Sequence, residues 1–279
     1  MIKQFVPNSL KEALEILSTN NCYIMSGGTD LMVQKHKSSG LLPVFDKDIL
    51  YVANLKELDY IKEDKNNIYV GAETRYIEML ESPLIPVEFK QVISEIASPA
   101  IRNMATMAGN IANASPAGDT LVPLNLFNAS VVLQSKTKKR EVLVKDFILG
   151  VRKIDRHPDE MIVEIIIPKT DLITSYTKVG SRKAESITKI SFMGGYKVED
   201  GIVKDLRIAF GSVSIKVVRS LEIEQKYTGI SANELRARID DIVNEYDWLV
   251  KPITDQRSTK EYRKKVAFNL LRDFLKKVK

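Results

Sequence analysis

Residues 103–119 read NMATMAGNIANASPAGD, and the only charged side chain in this segment is Asp119. Since 28% of the chain is Asp, Glu, Lys or Arg, about five charges would be expected in a segment of this length. Small residues and short neutral hydrogen-bonding side chains stand there instead. Such a segment lets the backbone approach a ligand closely, with N–H groups and hydroxyls directed towards it. Taken alone, the segment fits ligand binding and a structural turn equally well.

A second stretch of similar character, SGGTD at 26–30, follows an apolar run at 22–25. Glycines can present several convergent N–H donors, which a phosphate group requires. A strand–Gly-Gly–helix turn is more often a plain turn, and Asp30 argues against phosphate unless its side chain caps the helix. Two such segments in one chain suggest a site that holds an extended, phosphate-bearing cofactor from two sides. Neither the dinucleotide-binding motif G-x-G-x-x-G nor the P-loop motif is present.

Composition limits the classes of protein to consider. The 279 residues are enough for about two domains, and no apolar run approaches the ~20 residues of a membrane span. The N-terminus lacks the pattern of a signal peptide, and Cys22 is the only cysteine, so we expect a cytoplasmic protein without disulfides. One Cys and two His cannot supply an iron–sulfur cluster or a Cys/His zinc site, and we expect no metal here. His36 and His157 lie in hydrophilic surroundings typical of surface loops.

The positive charge is concentrated at the C-terminal end. Residues 251–279 contain ten Lys or Arg and three acidic residues, a balance of +7 against +6 for the whole chain. Nucleic-acid binding is one interpretation, but no aromatic–glycine signature accompanies the charge. A solvated helix face, or a docking face for an acidic protein, explains it better.

Apolar spacing and capping signals predict an α+β fold. Helices are predicted over about 9–19 (from the capping box Ser9-x-x-Glu12), 29–37, 75–81 and 89–97. Strands are predicted at 22–25, 44–45, 51–52, 67–71, 130–134, 141–144 and 161–167. The polar turn between 130–134 and 141–144 makes these two strands a hairpin, and the low-charge segment is interpreted as a loop.

A change of composition at 168–171 predicts a linker, hence domains over 1–170 (subdomains about 1–55 and 56–170) and 174–279. Beyond it, strands are predicted at 175–179, 190–196 and 206–210, with a turn at 199–201. Two capping boxes, Ser231-x-x-Glu234 and Ser258-x-x-Glu261, open two helices. The predicted architecture is a small α/β subdomain and a mixed-sheet subdomain, followed by an antiparallel sheet with a helix bundle.

Residues 26–31 (SGGTDL) and 101–119 (IRNMATMAGNIANASPAGD) together resemble the FAD-binding subunit of bacterial molybdenum hydroxylases, the family of xanthine dehydrogenase and carbon monoxide dehydrogenase. The resemblance covers nearly the whole chain. Segment 159–162 (DEMI) is similar to the flavin-flanking segment of the family, and Lys178-x-x-Ser181-Arg182 to its following basic element. Residues 210–219 and 252–263 resemble its C-terminal domain.

The resemblance implies a non-covalent FAD site and roles for individual residues in it. Ser26 and Leu31 would be the first and last cofactor-binding residues of the first segment. Gly27, Gly28, Thr29 and Asp30, with Thr106, Gly109 and Asn110, would hold the pyrophosphate. Asn113, Ser115 and Asp119 would reach ribityl or ribose hydroxyls. Met161 and Ile162 would pack against the isoalloxazine, with Lys178 near its polar edge. For Met161 and Ile162, the residues alone favour plain strand core.

Two positions depart from the family pattern. Ala108 precedes Gly109 where a second glycine is usual, and a methyl group is tolerated there only if φ is negative. Ser26 stands where alanine is usual, which adds a hydroxyl.

The implied function is an electron-transfer flavoprotein subunit, in which the cofactor carries the chemistry and no residue serves as general acid or base on the reducing substrate. In this family a large molybdopterin subunit hydroxylates the substrate, a small [2Fe–2S] subunit relays electrons, and FAD passes them to NAD⁺ or another acceptor. One alternative is a self-sufficient FAD-dependent oxidase or reductase. The other is a basic nucleic-acid-binding module, which predicts salt-dependent binding.

Overall fold

The computed structural model describes residues 2–38, 40–183 and 185–279. Its helices are α1 (Leu10–Thr19), α2 (Leu31–Gln34), α3 (Tyr76–Glu81), α4 (Val87–Ser94), α5 (Pro99–Arg102), α6 (Met107–Asn113), α7 (Leu121–Leu126), α8 (Val144–Phe147), α9 (Leu221–Lys226), α10 (Ala232–Ala237), α11 (Ile239–Tyr246) and α12 (Lys260–Lys276). Its strands are β1 (Gln4–Phe5), β2 (Cys22–Met25), β3 (Asp48–Tyr51), β4 (Ile61–Glu63), β5 (Asn67–Gly71), β6 (Ser130–Gln134), β7 (Lys139–Leu143), β8 (Ile148–Gly150), β9 (Lys153–Ile154), β10 (Met161–Pro168), β11 (Ile173–Val179), β12 (Ile190–Glu199) and β13 (Ile202–Gly211).

The chain forms two compact units that interleave along the sequence. The N-terminal unit consists of Met1–Pro86, Ala97–Ala114 and Asn128–Pro168. The C-terminal unit consists of Val87–Ile96, Ser115–Phe127 and Lys169–Lys279. Helices α4 and α7 therefore belong to the second unit although they lie in the first half of the chain.

A parallel sheet with the strand order β1-β3-β2 opens the N-terminal unit. Helix α1 packs its apolar face, including Ala13 and Leu14, into a core that also holds Leu50. The predicted cap is confirmed, because the Ser9 hydroxyl accepts from the backbone N–H of Glu12 at 3.2 Å. The Glu12 carboxylate reaches back to the backbone N–H of Asn8 at 2.8 Å rather than to Ser9.

The second sheet of this unit has the order β4-β5-β10-β6-β7, and its pairs are all antiparallel. Among the strands that the structure describes, parallel pairing is confined to the first sheet. The predicted hairpin is confirmed, since β6 pairs with β7 up to the partners Gln134 and Lys139. Strand β10 lies at the centre with Met161 and Ile165 buried, as its β-branched sequence predicts.

An antiparallel sheet, β11-β12-β13, is the centre of the C-terminal unit. The predicted turn is confirmed at Asp200 and Gly201, both with positive φ (51° and 74°). Helix α12 packs against this sheet through its buried apolar residues Ala267, Leu271, Phe274 and Leu275. The Phe274 ring lies so close to Gly194 that a Cβ there would be 2.6 Å from ring carbons.

Four local predictions are wrong. The low-charge segment is not a loop throughout, because its residues Met107, Ala108 and Ile111 form the buried face of α6. The helix predicted over 29–37 is limited to α2, since the Lys35 carbonyl instead accepts from the Val44 N–H at 2.9 Å. Residues 44–45 lie outside any strand. The last helix is capped by Thr259, one residue after the predicted Ser258.

The helices that the structure describes are too short or too polar for a membrane span. Within residues 2–38, 40–183 and 185–279, no helix has both the length and the apolarity to cross a bilayer.

Candidate functional site

The 26–30 turn lies where β2 gives way to α2. Gly28 has φ +69°, a conformation in which glycine is strongly preferred. Gly27 is required for a different reason, since a Cβ on it would lie 1.8 Å from the carbonyl oxygen of Met104. The two low-charge segments of the sequence are therefore in direct backbone contact in the N-terminal unit.

The backbone N–H groups of Gly27, Gly28 and Thr29 point to what this turn can bind. Within the described part of the chain, none of these N–H groups has a hydrogen-bond acceptor. Backbone donors in folded proteins normally have a partner, either within the protein or outside it. Three consecutive donors without an acceptor among the described residues, on partly exposed backbone, are available to an anion.

Helix α6 brings the second segment to this turn. The Thr106 hydroxyl accepts from the Gly109 N–H at 3.0 Å and so caps the helix, while Thr106 itself is buried. Gly109 is exposed, and Asn110 follows it on the helix. Ala108 lies inside α6 and is absent from the positions with positive φ, so its methyl group is unstrained.

Asn113 joins the end of α6 to the start of α2. Its amide donates to the Asp30 carboxylate, and its oxygen accepts from Gln34 Nε2 at 2.6 Å. Asp30 occupies the cap position of α2 without a side-chain cap bond. Although the residue is exposed overall, desolvation of its carboxyl raises the pKa, against the opposing effects of Arg152 and Asn113. Asn113 and Arg152 therefore stabilise the ionised form of Asp30, although burial outweighs them.

Ser26 contacts a residue to which the sequence analysis assigned no role. Its hydroxyl donates to the carboxylate of Glu73 at 2.6 Å, and Glu73 is 7% exposed. Burial raises the pKa of Glu73 to about 7, the Ser26 hydrogen bond lowers it, and the charge of Asp59 adds to the rise. The only sequence signal for Glu73 is an acidic residue two positions after the apolar strand β5.

Asp119 and Lys178 belong to the C-terminal unit and pair with each other. Lys178 Nζ lies 2.7 Å from the Asp119 carboxylate and donates to the Glu95 carbonyl at 2.8 Å. Thr188 also donates to Asp119. Burial raises the pKa of Asp119, and the charge of Lys178 and the two hydrogen bonds oppose the rise. The nearby Tyr176 hydroxyl is buried without a partner among the described residues.

The remaining predicted residues serve the protein's own packing. Met161 is 1% exposed and joins the core around α1, and Ile162 is 7% exposed on the same strand. Ser115, in the C-terminal unit, accepts from the Ala117 N–H at 3.3 Å, which closes a local turn. Leu31 is half-buried at the start of α2. Contact of these four residues with a cofactor stays a prediction.

The basic C-terminal segment is largely matched by acidic neighbours. Arg263 pairs with Asp255 at 2.7 Å, and Lys264 pairs with Asp247 at 2.9 Å. Arg272 lies 3.0 Å from Asp240. These ion pairs support the interpretation of the basic C-terminal segment as a solvated helix face.

Comparison with known proteins assigns both halves of the chain. Residues 1–170 match the model of the FAD binding domain in molybdopterin dehydrogenase, and residues 175–278 match that of the CO dehydrogenase flavoprotein C-terminal domain. The chain belongs to the FAD-binding subunits of the molybdopterin dehydrogenases. This FAD-binding subunit is thus the flavoprotein component of an oxidoreductase.

Full-length relatives agree with this assignment. The glyceraldehyde dehydrogenase medium chain of Sulfolobus acidocaldarius is 30% identical over 93% of this chain and 92% of that protein. The putative xanthine dehydrogenase FAD-binding subunit of Escherichia coli is 26% identical over 97% and 92%. In fold, the FAD-binding subunit superimposes on a chain of the reconstituted CO dehydrogenase from Oligotropha carboxidovorans with a TM-score of 0.89 and 21% identity, over 100% and 97% of the two chains.

The residues present fit FAD. A pyrophosphate needs neutral donors, and the N–H groups of Gly27, Gly28 and Thr29, which have no acceptor among the described residues, can supply them. The acidic side chain nearest in sequence, Asp30, is held by Asn113. The close contact between Gly27 and Met104 fixes this donor set against the entry to α6.

Proposed function

We propose that this FAD-binding subunit transfers electrons within a molybdenum hydroxylase complex, from a [2Fe–2S] small subunit to NAD⁺ or another acceptor. A large subunit carrying molybdopterin would hydroxylate the substrate. The observation that carries the proposal is the turn at Gly27 and Gly28, with its free donors packed on the entry to α6. When bound, FAD supplies the redox chemistry.

The protein residues then have binding and positioning roles. The N–H groups of Gly27, Gly28 and Thr29 hold the pyrophosphate, with Gly109 and Asn110 of α6 beside them. Thr106 acts through the helix by capping it. Asn113 holds Asp30 aside and so reduces its repulsion of the phosphates.

Ser115, Asp119 and Lys178 are proposed to meet the sugar hydroxyls and the polar edge of the flavin. Asp119 and Lys178 would do so as a pair, because each neutralises the other. Met161 and Ile162 are proposed to support the flavin through the strand that they build.

The need for partner subunits follows from the chemistry that this chain lacks. Its single cysteine, Cys22, is buried, and burial raises the pKa of the thiol. One inert thiol cannot bind an iron–sulfur cluster. We therefore expect the isolated chain to be inactive on the reducing substrate, and the reducing cytoplasm suits its unpaired cysteine.

Reconstitution with FAD tests the proposal. The purified full-length chain, incubated with FAD and freed of excess cofactor, is expected to show flavin absorbance in about one equivalent. Gly27→Ala should lose it, because the added methyl group collides with the Met104 carbonyl. Gly211→Ala is the control in the C-terminal unit: its methyl group would be crowded by the side chains of Ser191 and Val122, and FAD uptake should be unchanged.

Co-purification tests the assembly. The chain isolated at native expression should carry two partner chains, molybdenum and iron. Absence of flavin from wild-type protein after reconstitution would contradict the proposal, and turnover of a reducing substrate by the isolated chain would instead identify a self-sufficient enzyme.

A further inference from the structure

Glu73 is a buried acid, and among the described residues its side chain has one hydrogen bond, which comes from the proposed FAD-binding turn. The residue follows β5 and is fixed by its backbone N–H, which donates to the Leu58 carbonyl at 2.9 Å. Its carboxylate accepts from the Ser26 hydroxyl at 2.6 Å. Ser26 immediately precedes the free N–H donors of Gly27 and Gly28. The carboxyl group of Glu73 is therefore one residue away from the proposed pyrophosphate position.

The charged groups around Glu73 do not neutralise it. Asp59 faces it and raises its pKa, and Asp59 is itself shifted upwards by burial. Arg75 interacts with Asp59 and forms an ion pair with Glu78 on α3. Within the described residues, no Lys or Arg forms an ion pair with Glu73. A buried carboxylate without a cation favours its neutral form.

We propose that Glu73 is a positioning residue for FAD: its side chain holds the Ser26–Gly27–Gly28 turn through the Ser26 hydroxyl, and its negative charge, when ionised, repels the pyrophosphate and weakens binding, so that FAD binding is coupled to proton uptake. This inference rests on the proposed function, because it requires the pyrophosphate at Gly27 and Gly28.

Linkage fixes the direction of the effect. The pyrophosphate is negative, so its arrival favours neutral Glu73, and reciprocally ionised Glu73 disfavours the pyrophosphate. Since burial raises the pKa of Glu73 to about 7, the group is neutral below and ionised above neutrality in the free protein. FAD affinity is therefore constant in acid and falls as the pH rises, by at most about tenfold per pH unit.

The test is FAD titration of the full-length chain by flavin fluorescence between about pH 6 and about pH 8.5. Wild-type protein should lose about three- to tenfold in affinity over this range. Glu73→Gln keeps the acceptor for Ser26 and removes the charge, so it should bind FAD with a flat pH profile and more tightly than wild type at the alkaline end. Glu81→Gln, exposed at the end of α3, is the control and should keep the wild-type profile.

Calorimetry in buffers of different ionisation enthalpy gives the second readout, with proton uptake on FAD binding near neutral pH that Glu73→Gln abolishes. Ser26→Ala keeps the inference testable should Glu73→Gln not fold. It removes the hydrogen bond that lowers the pKa of Glu73, so the fall in affinity should move to higher pH. Wild-type FAD affinity that is independent of pH overturns this inference alone. Failure of wild type to bind FAD at any pH overturns the proposed function as well.

Discussion

The 26–30 turn and the Asp119–Lys178 pair were both expected to contact FAD, but they differ in how far their polar groups are already paired within the protein. Among the residues that the structure describes, the turn leaves three backbone donors without acceptors, and Ser26 donates to a buried acid that forms no ion pair. In the C-terminal unit, Asp119 and Lys178 are both buried and satisfy each other, with Thr188 and the Glu95 carbonyl completing the set. The first region therefore has donors available to an anion, as proposed for the FAD pyrophosphate, whereas in the second the opposite charges already neutralise each other.

Removal of Lys178 should have the largest effect. Lys178→Met leaves Asp119 as an unpaired buried charge, and we expect a loss of about 3–5 kcal/mol in the free energy of unfolding. Urea denaturation measures it. Lys204→Met, at an exposed position of β13 in the same sheet, is the control and should stay within about 0.5 kcal/mol of wild type. Partial recovery in the double variant with Asp119→Asn would sharpen the contrast.

Glu73→Gln should change the free energy of unfolding in the opposite direction, by stabilising the fold. The folded protein raises the pKa of Glu73 from 4.5 to about 7, so its ionisation destabilises the fold increasingly as pH rises between these values. At about 1.4 kcal/mol per pH unit, Glu73→Gln should stabilise the chain by at most about 3 kcal/mol at pH 8. Below about pH 4.5 the gain should vanish. An equal effect at both pH values would show that packing, and not charge, is responsible.

Glycine variants separate backbone strain from cofactor binding. Gly28→Ala and Gly201→Ala both place a side chain at positive φ, and each should cost about 1 kcal/mol of stability. Only Gly28→Ala should weaken FAD binding, by about tenfold, because the free donors of the turn shift with its backbone. Equal FAD affinity in the two variants would contradict the assignment of the turn.

Two helix caps give the smallest expected effect. Thr106→Ala and Thr259→Ala each remove a hydroxyl that caps a helix, α6 and α12 respectively, at a cost of about 1 kcal/mol. FAD affinity should fall in Thr106→Ala alone, since α6 adjoins the turn. Thermal unfolding and fluorescence titration on the same samples distinguish the two variants, and a matching loss of affinity in Thr259→Ala would count against a local role for Thr106.

Local signals in the sequence predict much of the fold. The Ser9 cap, the apolar run of β2, the β6–β7 hairpin and the turn at Gly201 all depend on neighbours close in the chain, and each is confirmed. Helix α6 was not predicted, because its buried face consists of Met107, Ala108 and Ile111 among small polar residues. Such a sequence has only a weak apolar periodicity.

The missed features of the site depend on contacts distant in sequence. Ser26 and Glu73 are 47 residues apart, and nothing near Glu73 signals that it is buried. The pairing of Lys178 with Asp119 spans 59 residues, and for this reason each was predicted to have a separate role. Gly28 was recognisable because its positive φ is a local requirement, whereas the requirement for Gly27 comes from Met104, distant in sequence. Burial and charge compensation are likewise properties of the packed unit.

The bonds of Asn113 to Asp30 and Gln34 have a thermodynamic consequence for cofactor uptake. They join α2 to α6 through the protein's own side chains, so the turn acquires its shape when the unit folds. Association then needs little further ordering of the backbone, and less of the intrinsic affinity is lost to conformational entropy. Because these hydrogen bonds already order the turn, the apo subunit is expected to bind FAD rapidly, as a rigid receptor.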